Sequence, residues 1–191
     1  MKYYRPLPLD IEVKISPRAL LISKTDKEGN ILSINKNLIK MSNYEEDELL
    51  NAPHNILRHP DMPRVIFFLL WEELNAGRTM TLLIKNLTKS GEYYWVKSEF
   101  RIIEDDPIYH PAYISISEMA SVKSIIQIEK LYTRLLKIEK RENLAASLRY
   151  LENYLQEREL TLQEYMNTVL KPQTAISSFF NKIKNGFSLA A

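Results

Sequence analysis

The segment HNILRHPDMP, His54 to Pro63, gathers two histidines, an arginine and an aspartate between prolines. Each type suggests a chemistry. The guanidinium of Arg58, and that of nearby Arg64, is a planar fork that matches the oxygens of a diphosphate. The structural alternative is an ion pair with Asp61 or a neighbouring Glu. His59, and equally His110, each stand before a proline, and an imidazole is the usual axial ligand of a haem. The alternative for each is a hydrogen-bonded structural histidine. The histidines, with His54, do not show a metal-ligand spacing such as HExxH. Further on, Asn86 offers an amide with both donor and acceptor; otherwise it serves the turn at Thr88–Gly91.

Other chemistry is excluded by composition. The 191 residues contain no cysteine, which removes disulfides, thiol catalysis, zinc fingers, iron–sulfur clusters and cysteinyl adducts. No phosphate loop, GxSxG or HExxH occurs. The acidic pair Asp105–Asp106 falls in a turn and reads as a solvated tip, while Glu45 to Glu48 opens a helix, where negative charge suits the dipole. The expectation is a protein that is not an enzyme. Lys plus Arg number 26 against 24 Asp plus Glu, and 26 − 24 = +2 gives no basic surface for nucleic acid. The longest apolar run, Val65 to Trp71, falls far short of the ~20 residues of a membrane span. The N-terminus has no apolar signal core, so a cytoplasmic location without direct membrane insertion is expected.

These residues need elements to hold them. Gly29 lies between ALLISK and ILSI, and Gly91 between TLLIKNL and YYWVKSEF; both read as hairpin turns. A third hairpin is marked by Glu104 to Pro107, ahead of the strand-like AYISIS. Short helices are expected at Asn37–Met41 and Glu45–Leu50, and a longer one over Pro63–Ala76, with Asp61 as N-cap and Gly77 as its stop. Alternation puts Met80, Leu82, Ile84 and Asn86 on one face of the third strand. In the fifth strand the row Ala112, Ile114, Ile116 is the expected core row, rather than Tyr113, Ser115, Ser117. Strand runs with segregated helices make an α+β protein with an antiparallel sheet.

From Ser121 to Leu170 there is no Gly or Pro. Ile128, Leu131, Leu135 and Ile138 form one apolar series. Leu144, Leu148, Leu151, Leu155, Leu162, Tyr165 and Val169 form another, out of phase near Asn143. A long helix with a phase shift, or two helices, follows, with its seam read as a surface for dimerisation or for docking to a transducer. Packing on the sheet is the alternative. After Pro172 the tail carries Ile176, Phe179, Phe180, Ile183 and Phe187, a small docking helix or a loose end.

The strings INKNLIKMSNYEEDELLNAPHNILRHPDMP, IKNLTKSGEYYWV and YISIS resemble a PAS domain, and within PAS domains the flavin-binding sensor of bacterial aerotaxis receptors. The chain also resembles the stand-alone PAS partners of bipartite energy-taxis receptors. The resemblance covers residues 17–120 and implies a five-stranded antiparallel sheet with helices on one face and a ligand cavity between. It implies noncovalent FAD as cofactor, a redox-sensing role in energy taxis, and a separate chemotaxis transducer as partner. Carried over residue by residue, Arg58, His59 and Asp61 match flavin-loop positions, Asn35 and Asn86 polar cavity positions, and Trp71 and Trp95 aromatic positions near the cavity or sheet. Met80 stands where that family carries a Trp of the flavin site, so a stacked indole is replaced by a thioether. The expected division is an extension at 1–16, the sensory domain at 17–120, a helical signalling segment at 121–171 and a tail at 172–191. A cofactor-free adaptor is the alternative, with a haem gas sensor through His59 or His110 third.

Overall fold

The computed structural model describes residues 6–104, 106–109 and 111–170. Five strands form one antiparallel sheet: β1 (Leu21–Thr25), β2 (Ile31–Ile34), β3 (Met80–Leu87), β4 (Tyr93–Ile103) and β5 (Ala112–Met119), in the order β2-β1-β5-β4-β3. Between β2 and β3 lie α1 (Lys36–Ser42), α2 (Glu46–Leu49), a 3-10 turn (His54–Leu57) and α3 (Arg64–Asn75). Both glycine-marked hairpins form as expected. Gly29 has φ +84°, and a Cβ there would stand 3.1 Å from the Trp71 ring, so this turn admits only glycine without displacing the indole.

Register decides which residues meet. Leu21, Ser117, Ser98 and Leu82 lie abreast, as do Ser23, Ser115, Phe100 and Met80. One face of the sheet therefore carries Leu21, Ser23, Tyr113, Ser115, Ser117, Ser98 and Ile84, under α3. In β5 both rows are covered: the expected row is fully buried at Ala112 and Ile116, while the Tyr113, Ser115, Ser117 row, expected to lie outside the core, is buried as well and faces the chamber under α3. With both faces of the sheet covered, alternation alone does not name the inner row.

The start of α3 is corrected. Pro63 occupies the N-cap position and has no side-chain bond to give. The carboxylate of Glu139, 75 residues away, accepts from Arg64 N at 2.9 Å and, through its second oxygen, from Val65 N at 2.8 Å. It supplies the acceptors that a helix start lacks. Asp106 is corrected as well: it is buried, pairs with Lys24 and accepts from Tyr109 N at 2.8 Å. The Lys24 bond, then the Tyr109 and Ile108 amides, hold its carboxyl down to about 2.

Glu139 belongs to α4 (Val122–Arg141), which is followed by α5 (Leu144–Gln156) and α6 (Leu162–Val169). The phase shift is a real break: Asn143 caps α5, accepting from Ala146 N at 2.9 Å. Thr161 and Glu164 cap α6 reciprocally. The seam expected to face a partner is instead buried within the chain at Ile128, Leu131, Leu135, Leu151, Leu155, Leu162 and Val169. The three helices pack on one another, on α3 and on β3. The tail from residue 172, with its expected docking helix, lies outside the described residues.

β3 is an edge strand, and its outward groups are taken up. Thr81 N donates to Gln163 Oε1 at 2.8 Å, Leu83 O accepts from Tyr132 Oη at 2.9 Å, and Lys85 O accepts from His59 N at 3.2 Å. The edge that would invite another strand is closed by α4, α6 and the His59 loop.

Candidate functional site

Between the sheet and α3 lies a cavity of about 210 Å³. Leu21, Leu38, Leu57, Leu70, Leu74, Ile84 and Phe100 make its walls apolar. The sheet adds a floor of hydroxyls: Ser98 and Ser117 share a bond of 2.7 Å, and Ser115 lies 3.5 Å from Ser117. These pairs are alternatives to one another, so a ligand group can enter the network without leaving an orphan. At the side, His54 Nε2 lies 2.8 Å from Ser23 Oγ. Burial pushes the His54 imidazole down to about 4, so it is neutral at ordinary pH, with one nitrogen to donate and one to accept. Exposed Glu28 and Asn55 also line the cavity and place its mouth between the β1–β2 turn and the 3-10 turn. Trp71 stands edge-on to Tyr113 at 5.4 Å beside it, and the Tyr113 hydroxyl donates to Asn75 Oδ1 at 3.3 Å.

Of the residues singled out by sequence, Arg58, Trp71 and Asn86 meet at this cavity. Asn86 pairs with Arg58 across an isolated bridge, and the Arg58 guanidinium lies 4.5 Å from the Phe67 ring centroid. One guanidinium nitrogen donates to Met62 O at 2.5 Å, which holds the loop closed. The others lie apart from the cavity. Asn35 caps α1, accepting from Leu38 N at 3.0 Å and Ile22 N at 3.1 Å and donating to Leu20 O at 2.8 Å. It fastens α1 to β1. Met80 is buried opposite Phe100. His59 and Asp61 face the outer side of β3. Asp61 pairs with Lys85 at 3.0 Å, and Lys85 in turn sits 4.2 Å from the Tyr93 ring. His59 Nδ1 accepts from Asp61 N at 3.0 Å; burial, then Lys85, push its imidazole down to about 4. This neutral, bonded histidine is not placed to reach a haem in the cavity. His110 lies outside the described residues. Trp95 is on the outer face, stacked on Tyr132 at 6.5 Å.

His54, Ser23 and the Ser98–Ser115–Ser117 floor were not singled out as site residues. The one signal available was YISIS read in the opposite phase, together with a histidine opening the loop.

Comparison with known proteins agrees with this architecture. A family described as PAS fold matches residues 31–114. An aerotaxis receptor from Escherichia coli K12 is 34% identical over 116 residues, 60% of this chain and 22% of the receptor. A biofilm dispersion protein from Pseudomonas aeruginosa PAO1 is 27% identical over 94 residues, 46% of this chain and 21% of that protein. The chain thus spans about a fifth of the length of these curated relatives. Among solved structures, a light-oxygen-voltage domain studied with a flavin analogue matches with TM-score 0.48 and 17% identity, covering 64% of this chain and 87% of that one. Among the described residues no helix is long and apolar enough to cross a membrane.

Proposed function

We propose, from the match of residues 31–114 to a PAS-fold family and the likeness to part of an aerotaxis receptor, that the chain is a non-catalytic redox sensor for energy taxis. Its cavity holds the ring of a noncovalent FAD, and it signals to a separate chemotaxis transducer. The observation that carries the reading is the cavity's division into apolar walls and a convergent polar edge. Asn86, the serine floor and His54 supply donors and acceptors together, which suits a planar ring with one polar side. The volume of about 210 Å³ suits the ring alone, so the rest of the molecule would lie outside the cavity. When bound, a flavin supplies a change of protonation and hydrogen bonding on reduction.

This chain's residues turn that change into a mechanical bias. Asn86 and Ile84 face the cavity from β3, while Leu83 and Lys85, on the same strand, face outward and hold Tyr132 and His59 through their carbonyls. A hydrogen bond gained or lost inside, ~1 kcal/mol, is enough to tilt a balanced equilibrium of β3 and the helices on it.

A spectrum of the purified protein, before and after chemical reduction, tests the cofactor. Two flavin bands that bleach on reduction, and weaken in Asn86→Leu while the fold is kept, support the reading. A clean protein spectrum, unchanged after reconstitution with FAD, overturns it. That outcome favours the second reading, a cofactor-free adaptor. Its support is the same volume, below the ~300–1,000 Å³ usual for ligand sites.

A further inference from the structure

The outer side of the sheet carries a second concavity, away from the ligand cavity. Val13, Ile15, Trp95, Met119 and Ile125 line a groove of about 260 Å³. Val122, which also lines it, and Ile126 beside it are 62% and 57% exposed. They stand four residues apart on α4 and so form one stripe, on a helix whose other large apolar residues are largely buried. Glu12 and Lys14 also line the groove and pair with each other at 2.7 Å, so its rim carries both signs of charge.

The described chain ends at this place. The Ser124 hydroxyl donates to Val169 O at 2.8 Å, and Leu170 is buried. The end of α6 therefore stands beside the first turn of α4, on the buried Ser124 side of the helix, about half a turn round from the exposed Val122 and Ile126. The sequence that follows has its apolar residues at Ile176, Phe179, Phe180, Ile183 and Phe187, spaced i, i+3, i+4, i+7, i+11, which is the stripe of an amphipathic helix. Residues 171–191 contain three lysines and no acidic residue. The six steps from Leu170 to Ile176 span up to ~20 Å, ample to lay the first anchor on the groove.

We propose that residues 176–187 dock as an amphipathic helix along Val122 and Ile126, with their phenylalanines in the Val13–Trp95–Ile125 groove. An apolar stripe meets an apolar groove, reached by a short tether from the end of α6.

The absence of cysteine makes the test clean. Nitroxide labels are placed on the full chain at Ile126→Cys and Ile183→Cys, and their separation is measured with and without a tenfold excess of unlabelled chain. A short, narrow distance that survives dilution is expected. A broad, long distribution overturns the proposal. So does a short distance that dilution abolishes, because a second copy would then occupy the groove. A label-free control uses Val122→Asp with Ile126→Asp, surface changes that leave the sheet folded. Tryptic cleavage at Lys182 and Lys184 should accelerate about tenfold. Equal rates in the variant and the parent overturn the proposal.

Discussion

The two faces of β3 and β4 are built from alternate residues of the same strands, yet they differ in kind. The inner face is loose: serines bonded to serines, a neutral histidine on a hydroxyl, and open volume. Away from the Val13–Trp95–Ile125 groove, the outer face is held by fixed bonds. Trp95 stacks on Tyr132, Lys97 pairs with Glu118 at 3.1 Å with both side chains nearly buried, and the β3 backbone is capped by Tyr132, Gln163 and His59. Exchangeable bonds suit a face that must accept a ligand, and fixed bonds suit a face that must keep its helices. Since strand alternation has period two, a shift felt inside is delivered to the outside one residue away.

The sharpest break of that contrast comes from the fixed side. Leu135, fully buried on α4, should cost about 2–5 kcal/mol when replaced by Ala. Denaturant unfolding measures this, and amide exchange should rise through α4–α6 well before it rises in β1 and β5. Uniform exchange would show that the helices and the sheet are one cooperative unit with no separable output.

Next is the pH response of the inner face. The folded His54 titrates at about 4 against an ordinary 6.5. Between those values the unfolded chain binds the proton and the folded one does not, so stability falls as pH drops from ~6.5 to ~4 and is level above. At ~1.4 kcal/mol per unit the loss is on the order of 3 kcal/mol. His54→Asn should remove that part of the slope, measured by denaturant midpoints across pH. His59, on the outer side and also lowered to about 4, leaves a residual slope in that variant. A bound ligand should alter the His54 part and leave the His59 part.

The fold was legible because its punctuation is local. Gly29, Gly91 and the apolar alternation around them define hairpins without reference to anything distant, and the phase break near Asn143 marks a helix boundary. The site was legible in part. Arg58, Trp71 and Asn86 carry recognisable chemistry and do converge. What stayed hidden depends on contacts across the chain. Asp61 looked like the cap of α3, but Glu139 performs that role from α4; no local pattern encodes a partner that far away. YISIS offered two rows, and the greasier one was the natural choice for a core. That row is buried at Ala112 and Ile116, but the sheet is covered on both sides, and the side holding the cavity takes the hydroxyls. The α4–α6 seam looked like a partner surface because periodicity reports an apolar face without reporting what covers it.

The Glu139 cap joins the two regions, so removing it tests whether they communicate. Glu139→Ala should cost about 1–2 kcal/mol, as loss of a helix cap does. More telling is where the effect appears. Arg64 and Val65 amides should lose exchange protection, and with them the Arg58–Met62 loop at the cavity wall. A loss confined to α4 would show that α3 does not depend on the C-terminal helices.

The smallest effect belongs to the cavity floor, and its smallness is the point. Ser115 borders open volume and makes only a long 3.5 Å contact with Ser117, while Ser117 keeps its shorter bond to Ser98. Ser115→Ala therefore strands no buried partner, and the usual cost of an unsatisfied group does not apply. The expected change in stability is within ~0.5 kcal/mol, against several for Leu135→Ala on the far side of the same sheet. Yet a ligand that takes a hydrogen bond from this hydroxyl would lose it, and affinity should fall about five- to tenfold, read by titration of the apoprotein with FAD. A destabilisation of 2 kcal/mol or more would mean that the floor is structural, its bonds no freer to exchange than those of the outer face. The contrast between an exchangeable side and a fixed one would then fail.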